Sequence, residues 1–158
     1  MHSTSSIPRP GRRGVGGALL LYAVIVSVSL GLGALRPHTA ATMFGSAAAT
    51  AGGTLAMALY LVRWTPYPRW GFLGAALFLA TGVMLTPLLQ HDPTAWSENV
   101  RPMLWMHPWF FMVMAWVNPG GKPARCAPDA PHSGWLLIAT AALFASILWG
   151  ATFVARLM

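Results

Sequence analysis

Four stretches of about 20 residues, the length that crosses a bilayer as a helix, carry no charged side chain: Gly14 to Leu35, Ala41 to Val62, Trp70 to Leu89 and Trp135 to Ala155. A water-soluble globule hides such runs only behind a charged surface, and roughly a quarter of its residues are charged. Here 8% of 158 residues are charged and 56% are hydrophobic. The acidic residues are Asp92, Glu98 and Asp129 alone. Lipid is therefore the solvent this chain is built for, and the fold class is an all-α, polytopic bundle of membrane-spanning helices.

A fifth stretch, Val100 to Val117, is shorter and holds Pro108, but has no charge from Pro102 onward. Counting it predicts five transmembrane helices, at about 14–35, 41–62, 70–89, 100–117 and 135–155. They form one domain over 14–157 behind a disordered cytoplasmic tail, 1–13. The basic start of the first span (Arg9, Arg12, Arg13) resembles a secretory signal. Its apolar run is longer than the 7 to 15 residues such a signal uses, and Arg36-Pro37-His38 stands where a small-residue cleavage site belongs. It reads as an uncleaved first helix.

The net charge of +7 raises the question of nucleic acid. Binders of nucleic acid gather basic residues on one face, whereas these lie singly or in pairs beside apolar runs. That pattern is the one membrane topology requires. With the N-terminus in the cytoplasm, Arg9, Arg12, Arg13, Arg63, Arg69, Lys122 and Arg125 fall inside, and Arg36, Arg101 and Arg156 outside. The expected orientation is N-terminus in, C-terminus out. Alanine-, glycine- and arginine-rich composition suggests a bacterial inner membrane. The lone Cys126 has no partner for a disulfide or a C-x-x-C motif.

Between spans, Arg63-Trp64-Thr65-Pro66-Tyr67-Pro68-Arg69-Trp70 reads as a proline-stiffened turn with interfacial aromatics, and Asn118-Pro119-Gly120-Gly121 ends the fourth helix. His91 to Trp96 reads as a short interfacial helix, capped by Asp92, begun by Pro93 and anchored in the headgroups by Trp96.

Small residues mark helix contacts in lipid, where close approach replaces the hydrophobic effect. Gly45, Ala49 and Gly53 recur every four residues in the second span; Ala142, Ser146 and Gly150 do so in the last. Thr42, Ser46, Thr50 and Thr54 repeat on a neighbouring face, as hydroxyls that bond their own backbone or as a polar stripe along a path; packing is the simpler reading.

No span holds Asp, Glu, Lys or Arg in its middle, which argues against ion-coupled transport. Histidine remains. His38, His91 and His107 all map to the outer side, with His107 about 10 Å below a helix start at Val100. Pro108 has no N–H for the carbonyl of Leu104 and pushes it aside. A kink at Pro108 and an unclaimed carbonyl beside His107 follow. Imidazole ligates haem and transition metals, and thioethers favour Cu(I). His107, His38 and His91 with Met103 or Met106 are the candidate ligands for haem, a chlorophyll-type pigment or copper. The alternative is that the histidines are rim residues and helix-contact groups. Asp92, Glu98, Asn99 and Arg101 form an outer polar set that could meet headgroups or simply solvate a loop. No catalytic constellation of serine, histidine and carboxylate is present.

Three functions follow in order. The first is a non-catalytic accessory or assembly subunit of a larger membrane complex, redox or photosynthetic, contacting other subunits or itself, with a haem or pigment at His107. The second is a small transporter or copper-handling protein using the outer His and Met residues. The third is a membrane enzyme acting at the outer face.

Overall fold

The computed structural model describes residues 11–35, 39–116 and 131–154. Expectations about the tail before residue 11, His38, the Asn118–Gly121 turn, Lys122, Arg125, Cys126 and Arg156 lie outside the described residues. Those described are helical, joined by short turns. The elements are α1 (Arg12–Leu35), α2 (Ala40–Leu61), a 3₁₀ turn (Val62–Trp64), α3 (Arg69–Leu89), α4 (Pro93–Ala95), a π turn (Trp96–Val100), α5 (Arg101–Leu104), α6 (Met106–Trp116) and α7 (Pro131–Val154). Four stretches within them are long and apolar enough to cross a membrane: Arg12–Leu35, Ala40–Trp64, Arg69–Leu89 and Gly134–Ala151.

Local chemistry starts these helices where the sequence points. Thr39 caps α2, its hydroxyl oxygen accepting from the Thr42 N–H at 3.3 Å. Asp92 caps α4, accepting from the Thr94 N–H at 2.9 Å, with Pro93 in the first helical position, where its missing N–H costs nothing. Between α2 and α3, Thr65 Oγ1 accepts from the Tyr67 N–H at 3.3 Å and shapes the turn.

The short α4 does not stay a separate interfacial helix. The chain runs from Pro93 through the π turn, α5 and α6 to Trp116 as one interrupted helical rod, about 36 Å long at 1.5 Å per residue. Its interruptions sit beside its prolines. Pro102 cannot donate to the Glu98 carbonyl, and the preceding turn widens so that the Arg101 N–H reaches Trp96 O instead. Helical bonding lapses again at Trp105, three residues before Pro108. Trp96, expected in the headgroups, is 1% exposed and packs with Met43, Ala47, Val83, Val100 and Leu104. The rod continues past it, so its indole faces α2 and α3 rather than the interface.

α2 is the hub and packs on α1, α3 and the α5–α6 rod, while α7 packs on α3. Gly53 lets α1 come close, since a Cβ there would run into Ile25. Gly71 of α3 backs onto the Gly134 backbone of α7, and Gly82 faces Trp149 further along, so α3 and α7 run parallel. The start of α1 lies at the end of α2, where Tyr60 Oη donates to Gly14 O at 3.3 Å. One end of the bundle is therefore rich in arginine and aromatics. Arg63 lies over Trp64 at 4.2 Å and Tyr60 at 5.2 Å, and Trp70 meets Trp135 at 5.6 Å.

Phe72, Leu79, Phe111, Met57, Leu61 and Leu137 fill the main core. Outward, α1 exposes Leu20, Val24 and Val28, and α7 exposes Leu136, Leu143 and Ile147. Large apolar side chains turned outward on the flanking helices are the pattern of a protein dissolved in hydrocarbon.

Candidate functional site

Three prolines inside helical segments each follow a polar residue: Thr86-Pro87, Arg101-Pro102 and His107-Pro108. A proline frees the carbonyl four residues back, and in lipid no water is available to take it. The structure solves this the same way twice. Thr86 Oγ1 donates to Val83 O, the carbonyl that Pro87 frees, at 2.8 Å. His107 Nδ1 lies 3.1 Å from Leu104 O, the carbonyl that Pro108 frees, and donates its proton there because a carbonyl can only accept.

The two caps differ in what they have left over. Thr86 Oγ1 also accepts from the Trp96 indole at 3.2 Å, so the hydroxyl is used in both directions. His107 is 0% exposed, and its Nε2 has no hydrogen-bond partner among the described residues. With Nδ1–H committed to Leu104, the neutral ring carries its lone pair on Nε2. The imidazole meets Phe144 of α7 edge-on at 5.9 Å, and Phe144 in turn meets Phe110 at 5.1 Å. Among the described residues, His107 Nε2 is a buried, unpartnered lone pair at a position the sequence also singles out, and Arg101 Nε is likewise buried without a partner.

Its depth differs from the expectation. Because the rod begins at Pro93 and not at Val100, His107 lies about 21 Å along it, level with the middle of α7 through Phe144. Its ring is enclosed by the neighbouring helices. His91, by contrast, is exposed at the far end of α3. The expected gathering of imidazoles at one rim therefore fails for this pair, and His38 lies outside the described residues. Among the described residues, no group of three His, Cys, Asp or Glu side chains could hold a metal ion. Met103 is half-buried, while Met106, next to His107 in sequence, turns outward at 42% exposure.

The outer polar set disperses in the same way. Asp92 is spent on its cap, Asn99 Nδ2 donates to Ala95 O at 3.1 Å, and Glu98 is exposed. Arg101 is half-buried with its guanidinium against Gly33 of α1. The hydroxyls of α2 bond backbone: Ser46 to Ser29 O across to α1 at 3.2 Å, Thr50 to Ser46 O at 2.9 Å and Thr54 to Thr50 O at 2.8 Å. Trp105 Nε1 donates to Ser29 Oγ at 3.1 Å, tying the rod to α1 at the same level. Sequence reasoning missed Ser29 and Thr86; the Thr-Pro pair was the available signal for the second.

The small-residue stripes part company. Gly53 is buried, with Gly45 and Ala49 half-buried beside it, and Gly45 meets Leu32 of α1. On α7, Ala141 and Ala145 turn inward, while Ala142 is half-buried and Ser146 and Gly150 are exposed. A Cβ on Gly150 would meet nothing among the described residues. The stripe of α7 thus leads out of the bundle.

Compared with protein-family models, with curated proteins and with solved structures, the chain has no match.

Proposed function

We propose that the chain is a non-catalytic accessory or assembly subunit of a larger membrane complex, one that handles a redox group or pigment, in a bacterial inner membrane. The observation that carries this is the outward stripe Ala142, Ser146 and Gly150 on α7. A helix meeting only lipid gains nothing from small residues, whereas one meeting another helix gains close backbone approach. Those residues suit a neighbouring subunit better than a lipid tail.

The same reading takes the Pro93–Trp116 rod as a fifth crossing. Its length is sufficient, and the parallel course of α3 and α7 supports this reading, with the start of α1 and the end of α7 at opposite ends of the bundle. The arginine-rich, aromatic end then faces the cytoplasm, as the positive-inside rule asks, giving N-terminus in and C-terminus out. His107 is the point at which such a subunit meets the small redox-active or pigment molecule of its complex.

Purification from native membranes in mild detergent, followed by intact-complex mass spectrometry, tests the subunit role. Wild-type protein is expected to carry at least one other integral membrane protein, and the double substitution Ser146→Leu, Gly150→Leu is expected to release it. A wild-type chain that emerges alone, or a partner retained by the double variant, contradicts the proposal.

A further inference from the structure

An apolar groove of about 400 Å³ lies between α6 and α7, walled by Met106, Trp109, Phe110, Val113, Leu143 and Phe144. It exists because α7 packs on α3 and meets the rod through the Phe144 ring contacts. Its rim opens sideways, toward lipid: Leu143 is 62% exposed and Met106 42%. The walls present apolar surface alone, and Thr140, which also borders the groove, spends its hydroxyl on Leu136 O at 2.8 Å.

Phe144 belongs to both features. It walls the groove, and it meets the imidazole of His107 edge-on. The short way from the groove to the imidazole runs past this one shared side chain. A molecule reaching Nε2 by that route must be lipid-soluble and flat enough to lie among aromatic walls. It must also bring one hydrogen-bond donor to a lone pair. A macrocycle with ionised carboxylates would bury them against hydrocarbon, at a cost of several kcal/mol or more per charge. A ring bearing hydroxyls on a hydrocarbon tail meets every requirement.

We propose that the α6–α7 groove and His107 form a binding site for a lipid-soluble hydroquinone, its ring entering past Phe144, one hydroxyl donating to His107 Nε2, and its tail leaving through the groove into the bilayer. The proposal rests on His107 as the contact residue of the subunit reading and names the molecule it contacts. Because the acceptor is a lone pair and Nδ1–H is already committed, the site prefers the reduced, hydroxyl-bearing ring to the quinone, which has only acceptors.

The test uses the full-length chain, ¹⁵N-labelled at histidine, in detergent micelles and titrated with decylubiquinol or decylubiquinone. The His107 resonances are assigned by their loss in His107→Phe. The quinol is expected to shift Nε2 and leave Nδ1 in place. The quinone should bind roughly tenfold more weakly, the cost of one absent hydrogen bond. Leu143→Trp, at an exposed rim position that does not disturb the core, is expected to weaken quinol binding by about the same factor by filling the groove. No shift at saturating quinol, equal binding of quinone, or an unaffected Leu143→Trp variant overturns the proposal. Hemin producing a Soret band that His107→Phe abolishes would also overturn it, putting a metal macrocycle in the site while leaving His107 as the contact residue. Loss of partner subunits is measured separately, so failure of the ligand and failure of the subunit role are told apart.

Discussion

A proline in a membrane helix creates a debt at the fourth residue back, and this chain settles it with the side chain immediately before the proline. Thr86 and His107 both reach the freed carbonyl, at 2.8 and 3.1 Å. Removing either cap leaves a carbonyl with no partner in a place without water. Hydrogen bonds inside membrane proteins contribute about 0.6 kcal/mol on average and up to about 1.7 kcal/mol. Thr86→Val also strands the Trp96 indole N–H, so it should fall at the upper end, and His107→Phe nearer the average. Unfolding of the detergent-solubilised variants, followed by loss of helical circular dichroism, checks the order. A Thr86→Val protein as stable as wild type contradicts the capping account. His107's deduced tautomer was half legible in the sequence, since a freed Leu104 carbonyl beside an imidazole follows from the His-Pro pair alone. Its burial was not, because depth depends on where the rod begins.

At the scale of elements, the long apolar runs located α1, α2, α3 and α7 to within a few residues, since length and absence of charge are direct properties of the sequence. The Asp92–Pro93 start was readable for the same reason. The continuity from Pro93 to Trp116 was hidden because Trp96, Glu98 and Asn99 look like a loop at an interface. Only packing against Met43 and Val83 shows that the indole turns inward. The small-residue stripes teach a similar lesson. Gly45, Ala49 and Gly53 have the same spacing as Ala142, Ser146 and Gly150, and periodicity cannot say which way a face points. The distinction is testable. Gly53→Leu drives a side chain into Ile25 and should destabilise the chain by about 1–3 kcal/mol. Gly150→Leu enters open space and should leave the unfolding temperature of the isolated chain unchanged. A Gly53→Leu protein that unfolds like wild type, or a Gly150→Leu protein that does not, would reverse the assignment of the two faces.

The whole molecule is a bundle with a quiet interior and an apolar exterior. The buried hydroxyls of Ser46, Thr50 and Thr54 bond backbone, its described acidic side chains are spent or exposed, and its central imidazole keeps one lone pair unused. Composition alone pointed to helices apolar enough to cross a membrane, because 13 charged residues are few for the surface of a globule of this size. It could not show that α3 and α7 run parallel, which depends on Gly71 meeting Gly134 and Gly82 meeting Trp149. That parallel course, added to the antiparallel α1, α2 and α3 and the returning rod, carries the account's central claim of five crossings. Compartment-specific reporters fused in turn to each end of the full chain test it most directly. The expected result is a cytoplasmic signal from the N-terminal fusion and an extracytoplasmic signal from the C-terminal fusion; both fusions reporting the same compartment would contradict it.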